Sequence, residues 1–216
     1  MNGWGQVVKI VLFGSTGQTG RLLAGQALLE GHEVTAFARD PARMTVVHSR
    51  LRVVRGDVLD VASVDRAVAG HDVVLSALGI PAWRPPPVLS QGVRNVLDAM
   101  ERHRVRRIVV LSAAGALREG AGFLVGNLGL GLFRLLLPGL YAEHRKMLEE
   151  IQKRDLDWIA VRAVLLTNRR KRGPYRVAGE GIPRGGFRIS RGDVAEFMIR
   201  QLTGAEYVRK MPSIAY

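Results

Sequence analysis

Residues 7–34, VVKIVLFGSTGQTGRLLAGQALLEGHEV, constrain what this chain can fold into more than any other stretch. Val7 to Phe13 is a short apolar run, rich in β-branched residues, that ends in glycine; it predicts a strand buried on both faces. Gly14, Gly17 and Gly20 follow with GxxGxxG spacing. Leu22, Leu23, Ala27, Leu28 and Leu29 then recur at helical spacing, Gly31 stops the helix, and His32 to Ala38 begins a second strand. Glycines at such a strand-to-helix turn serve two ends. The chain can turn sharply with unusual φ/ψ, and the backbone can approach a diphosphate at a helix N-terminus, where free N–H groups and the helix dipole favour an anion. Without its flanking elements the glycine pattern carries little weight; between a hydrophobic strand and an amphipathic helix it is specific.

Strands and helices keep alternating. Leu51 to Arg55 predicts a third strand, followed by Gly56-Asp57, and Val61, Val64 and Val68 mark one face of a helix. Asp72 to Ala77 predicts a fourth strand. The proline-rich segment Ile80 to Pro87 must be a loop. Val88 to His103 predicts a helix with Val93, Val96, Leu97 and Met100 inward. Val105 to Leu111 predicts a fifth strand, Ala142 to Arg154 a helix and Trp158 to Val161 a sixth strand. Such alternation specifies a parallel sheet with helices on both faces. After Arg162 the pattern changes: Tyr175 to Ala178 and Gly186 to Ile189 predict short strands, and Ser190-x-x-Asp193 opens a helix carrying Val194, Phe197, Met198 and Leu202. This tail is too short for a separate substrate domain and is expected to fold against the sheet.

At 216 residues the chain suits one domain with a real core. It has no cysteine, which excludes disulfides, thiolate metal sites and a cysteine nucleophile. MNGWGQ at the start lacks a basic segment followed by an apolar core, so no secretory signal is expected and a cytoplasmic location is the default. The formal net charge of +13 has three readings: an arginine-rich but ordinary surface, a positive field that gathers an anionic cofactor or substrate, or nucleic-acid binding. The last lacks a helix-turn-helix, zinc or RNP signature, and no nucleic-acid partner is expected. The densest basic run, Arg169 to Arg172, stands before Gly173-Pro174 and reads as a solvated loop. Ala121 to Leu140 is unusually apolar. Its glycines and mid-domain position argue against a membrane span; it is either a hydrophobic flap beside a substrate pocket or a core-packing helix.

The motifs FGSTGQTG (13–20), ARDPARM (38–44), GDVLD (56–60), VAGHDVVLSALG (68–79), SQGVRNVLDAM (90–100) and ISRGDVAEFMIRQLT (189–203) together resemble the atypical short-chain dehydrogenase/reductase group. Within it, the chain is most similar to the NAD(P)H-binding flavin reductase (biliverdin-IXβ reductase) and NmrA-like branch. The likeness implies an α/β fold: one Rossmann-type, doubly wound parallel sheet over residues 1–216, with residues 163–216 as a C-terminal extension on the substrate side. It places Gly14, Thr16, Gly17, Gln18, Thr19 and Gly20 at the diphosphate. Arg39 and Arg43 fall where the group reads the adenosine ribose, and cations there match NADP(H) rather than NAD(H). Asp40 is expected to point away if Arg39 points inward. Asp57 and Val58 would flank the adenine; Ala77, Leu78 and Gly79 would line the cofactor path; Val164, Leu165 and Leu166 would hold the nicotinamide end.

The wider superfamily uses a serine after the fifth strand and a Tyr-x-x-x-Lys pair, in which the lysine lowers the tyrosine's pKa. The matching residues here are Ser112, Tyr141 and Arg145, with arginine in place of lysine and a different geometry. Ser112 stands one residue early if Ala113 occupies the family's serine position. His144 matches a histidine of the flavin reductases and is a second proton donor or gate, or else a surface residue. Ala163 replaces a proline usual in the group.

The implied activity is NADPH-dependent hydride transfer to a small conjugated acceptor, such as a flavin, quinone, tetrapyrrole or enone, in an apolar pocket. The pocket's walls would come from Leu78–Pro87, Ala114–Leu140 and the loop after Arg162. Such acceptors need mainly stacking and orientation, whereas ketone reduction needs a proton donor for the oxygen. The alternative is an NmrA-like protein that senses NADP(H) without catalysis. No metal and no membrane partner are expected, and the chain is expected to be a monomer or weak homo-oligomer.

Overall fold

The computed structural model describes residues 7–80, 87–117, 135–168 and 173–216. Strand β1 (Lys9–Phe13) is central, between β2 (Glu33–Ala38) and β4 (Val73–Ser76), both parallel to it. The sheet runs β3 (Leu51–Arg55), β2, β1, β4, β5 (Arg107–Ala113), β6 (Asp157–Ala163), then β10 (Ser213–Ala215) and β8 (Arg176–Ala178). Only β8 is antiparallel to its neighbour. A separate parallel pair joins β7 (Leu165–Thr167) to β9 (Arg188–Ser190).

Strand periodicity divides the core in two. Along β1, Val11 and Phe13 face one side while Ile10 and Leu12 face the other, all fully buried. The Val11 side packs under helices α2 (Val61–Val68), α3 (Val88–His103) and α4 (Pro138–Gln152). The Ile10 side packs under α1 (Gln18–Leu29) and α5 (Arg191–Arg200). Because both faces are covered, the central strands read as unbroken apolar runs rather than alternating ones.

The expected strands and helices form, with shifted ends. Helix α4 starts at Pro138 rather than Ala142, since proline is preorganised for a helix's first turn; Tyr141 therefore lies inside the helix. β5 runs on to Ala113 and so includes Ser112. The tail does more than lie against the sheet. Its β10 extends the sheet beside β6, with Ser213 opposite Arg162, and β8 then pairs with β10. Arg162, 3 % exposed, helps hold this join: its Nε donates to the Met211 carbonyl at 2.7 Å. Strands β7 and β10 have three residues each, too few to print a period on the sequence. Residues 81–86 of the proline-rich loop, residues 118–134 of the apolar segment and the basic run 169–172, for which the sequence predicts a loop, a flap or core helix, and a solvated loop, lie outside the described residues. Among the described residues, no helix is long and apolar enough to cross a membrane.

Candidate active site

The strand order reverses between β1 and β4, and the glycine turn stands there, at the carboxyl end of β1. Gly14 has φ +74°, and a Cβ on it would lie 2.4 Å from the Ala77 carbonyl oxygen, so only glycine lets the turn pass against the end of β4. A Cβ on Gly20 would lie 2.2 Å from the Gly14 carbonyl oxygen; its absence seats α1 on the turn. The buried Ser15 hydroxyl donates to the Phe37 carbonyl at 2.9 Å and ties the turn to β2. Gly17 is the N-cap of α1. It offers no side-chain cap to the first-turn N–H groups, and that turn holds no acidic residue. A helix start left in this state is suited to an anion.

Above the turn lies one cavity of about 1130 Å³. It borders Gly14, Thr16, Gly17, Gln18 and Thr19 at the turn, and Arg39 and Arg43 beyond β2. Asp57 and Val58 follow from the β3 end, then Ala77, Leu78 and Gly79 from β4, and Val164, Leu165 and Leu166 after β6. Ser112, Tyr141 and His144 border it too. Of the expected cofactor residues only Gly20 does not reach it, being buried beneath the turn. Asp40 is absent from the lining because its carboxylate caps the short 3-10 turn Pro41–Arg43, accepting from the Ala42 N–H at 3.2 Å. Val58 is held by Asn95, whose amide donates to its carbonyl at 2.9 Å, and packs where a Cβ on Gly92 would intrude.

Strand parity decides between Ser112 and Ala113. Ile108 and Val110 face the α3–α4 side, so Ser112, in step with them, faces it as well. There Ser112 Oγ and His144 Nδ1 lie 3.2 Å apart. Burial disfavours the imidazolium and holds the His144 pKa down at about 4, against a weaker opposing pull from Glu143, so the ring is neutral at pH 7. Glu143, 5 % exposed, accepts from the Ser90 hydroxyl at 2.9 Å and from its N–H at 3.4 Å, fastening α4 to the first turn of α3. Arg145 does not join the group. It is half-buried, does not line the cavity, and pairs with Glu149 at 3.9 Å, so the expected Tyr-x-x-x-Arg pair is not assembled at the site. Spacing by itself does not choose between them, since residues three and four positions from Tyr141 share its side of the helix; the packing of α4 gives the inward place to His144.

Leu137 and Leu140, at the start of α4 and within the expected Ala114–Leu140 wall, border the cavity. Sequence reasoning did not name Ile182, Gly186, Phe187 and Arg191, which border it on the far wall. Phe187 is 61 % exposed, and the Arg188 guanidinium lies 5.4 Å from its ring centre. The Ser190-x-x-Asp193 signal located the head of α5 and says nothing of where Arg191 reaches.

A parallel sheet in this order, with a glycine turn at its reversal and an uncapped helix N-terminus above it, defines a Rossmann-type dinucleotide-binding protein. The sequence model of the NAD(P)H-binding family matches residues 14–205, and the chain belongs to that family. Cinnamoyl-CoA reductase 1 of Oryza sativa subsp. japonica is 33% identical over 126 residues, 53% of this chain and 37% of that protein. The isoflavone reductase homolog IRL of Zea mays is 36% identical over 80 residues, 33% of this chain and 26% of that protein. The chain thus spans little more than a third of the length of the first relative and about a quarter of the second. Among solved structures, a short-chain dehydrogenase/reductase from Veillonella parvula in complex with NADP aligns with TM-score 0.79 at 20% identity, over 98% of this chain and 95% of that one. An anaerobillin reductase from Escherichia coli O157:H7 aligns with TM-score 0.78 at 20% identity, over 96% of each chain. Both share the fold.

Proposed function

We propose that this chain is an NADPH-dependent reductase of small conjugated acceptors. The observation that carries the reading is the single cavity joining two arginines and an uncapped helix start to an apolar end that holds a paired serine and histidine. At about 1130 Å³ it exceeds the usual range for one small ligand and suits a dinucleotide with an acceptor beside it. The glycine turn gives the diphosphate a close approach that any Cβ at Gly14 would disturb. The exposed Arg39 and Arg43 suit a 2′-phosphate and favour NADP(H) over NAD(H). Asp57 and Val58 would flank the adenine, and Val164 to Leu166 would border the nicotinamide.

The nicotinamide supplies a hydride to one end of the acceptor's conjugated bond; a proton must reach the other. Ser112 would relay that proton from solvent. With His144 neutral, its Nδ1–H can donate to Ser112 Oγ, which leaves the hydroxyl proton free to point at the acceptor. Tyr141 borders the same space. Leu137, Leu140 and Phe187 supply apolar and aromatic surface on which a planar acceptor can stack.

Purified protein with NADPH and a set of flavins, quinones, enones and a linear tetrapyrrole tests this. We expect NADPH oxidation with at least one of them, about 100-fold slower in Ser112→Ala, and an NADPH-over-NADH preference that closes in Arg39→Ala. Failure to reduce any acceptor refutes the enzyme reading. The disassembled Tyr-x-x-x-Arg pair favours a second reading, an NADP(H) sensor; protein that turns nothing over yet binds NADPH and NADP⁺ with different affinity would support it.

A further inference from the structure

Arg191 is a second cationic feature of the cavity, apart from Arg39 and Arg43. It is the first residue of α5, just after β9, and β9 pairs with β7 with Ser190 opposite Thr167, so Arg191 stands by Asn168 at the end of β7 rather than beyond β2. Its side chain is half-buried and borders the cavity. Its Nη1 donates to the Asn168 amide oxygen at 2.5 Å, a neutral acceptor. Among the described residues Arg191 has no carboxylate partner: Asp193, two residues on, accepts from Ser190 and Tyr216 instead. Residues 169–172, next after Asn168, are all basic and bring no negative charge. Burial acts on the guanidinium with no offsetting charge, pulling its pKa below the ordinary arginine value. Among the described residues, other cations that reach inward have a defined anchor: Arg154 has Asp98 and Glu101, and Arg162 and Arg107 have backbone carbonyls. A half-buried guanidinium that faces a large cavity and is steadied by one amide is arranged for a ligand's oxyanion.

We infer that Arg191 anchors a phosphate or carboxylate group of a ligand in this cavity, on the side away from Arg39 and Arg43. The inference rests on the reading that the cavity holds a dinucleotide and an acceptor, and either could bring the oxyanion. The Gln26 amide donates to the Gly192 carbonyl at 3.1 Å, so the head of α5 is fastened to the later turns of α1, and a dinucleotide on the uncapped start of α1 would reach Arg191 through the cavity that Gly17 and Arg191 both border. Leu165 and Phe187 lie on the same side and suit an acceptor that carries an acidic substituent.

The test measures equilibrium binding and needs no turnover. NADPH, FMN and riboflavin are titrated by fluorescence into wild type, Arg191→Gln and Arg191→Lys, with thermal unfolding of each variant as a control for folding. FMN and riboflavin differ in one phosphate. A loss of NADPH affinity of tenfold or more in Arg191→Gln, partly restored in Arg191→Lys, assigns the oxyanion to the dinucleotide. Unchanged NADPH affinity, with the wild-type preference for FMN over riboflavin lost in Arg191→Gln, assigns it to the acceptor. If NADPH affinity and the FMN-to-riboflavin ratio are both the same in Arg191→Gln as in wild type, the inference is overturned. Absence of acceptor reduction by wild type would refute the proposed activity and leave these binding outcomes readable.

Discussion

Replacing Gly14 with alanine should separate the backbone requirement of the turn from glycine content in general. Gly14 has φ +74°, where an L-residue costs about 1–2 kcal/mol. Its new Cβ would also lie 2.4 Å from the Ala77 carbonyl oxygen and 2.7 Å from the Leu78 nitrogen. Both are rigid backbone atoms, so the turn and the end of β4 must part, at a further cost of roughly 1–3 kcal/mol by analogy with overpacked cores. Gly14→Ala should therefore destabilise by about 2–5 kcal/mol. Gly25→Ala is the control. It sits mid-helix in α1 with nothing within 4 Å of an added Cβ, and it should stabilise by about 0.5–1 kcal/mol. Urea unfolding measures both, and an unchanged m-value would show that the two states are otherwise comparable. The two substitutions are chemically identical and should differ in sign. Gly14→Ala within about 0.5 kcal/mol of wild type would refute the steric account of the turn. Saturating NADPH should raise the stability of wild type by about 3 kcal/mol at a hundredfold excess over Kd, and the alanine variant should lose most of that gain.

Two further outcomes follow from buried polar groups. His144 stays neutral in the folded protein down to about pH 4, whereas the unfolded chain takes up its proton near pH 6.5. Its contribution is therefore present above pH 6.5 and is lost as pH falls toward 4, by up to about 1.4 kcal/mol per pH unit; unfolding curves for His144→Gln should be flatter across that window, and an unchanged slope would count against the buried placement. Ser190 caps α5 by accepting from the Asp193 N–H at 3.0 Å and donates to the Asp193 carboxylate at 2.5 Å, with both residues fully buried. Ser190→Ala should cost about 1–3 kcal/mol in urea unfolding, and a neutral result would refute the capping role of Ser190.

Most of the fold was legible because its signals are local. The run to Phe13, the glycines after it and the Leu23–Leu28 face are each contained within a few residues, and so are the apolar strands that a doubly covered sheet requires. β7 and β10 were not legible: a three-residue strand has no period, and β10 owes its place to Arg162 and β6, about fifty residues earlier in the chain.

The site divides along the same line. The residues at the ends of β1, β2, β3 and β4 could be named from motifs, because each sits at a fixed offset from its own strand and the sheet then brings the strand ends together at one cavity. Which residues of α4 turn inward could not. Arg145 matched a motif by spacing, but the angle at which α4 packs on β5 and β6 gives the inner place to His144, opposite Ser112. Phe187 and Arg191 lie further still from any local signal, reaching the cavity only because β9 returns to pair with β7. The sequence by itself determined the sheet, its reversal point and the glycine turn, since periodicity and backbone sterics act between near neighbours. Tertiary structure alone decided which side chains share the apolar end of the cavity, because that depends on the packing of elements that the chain keeps far apart.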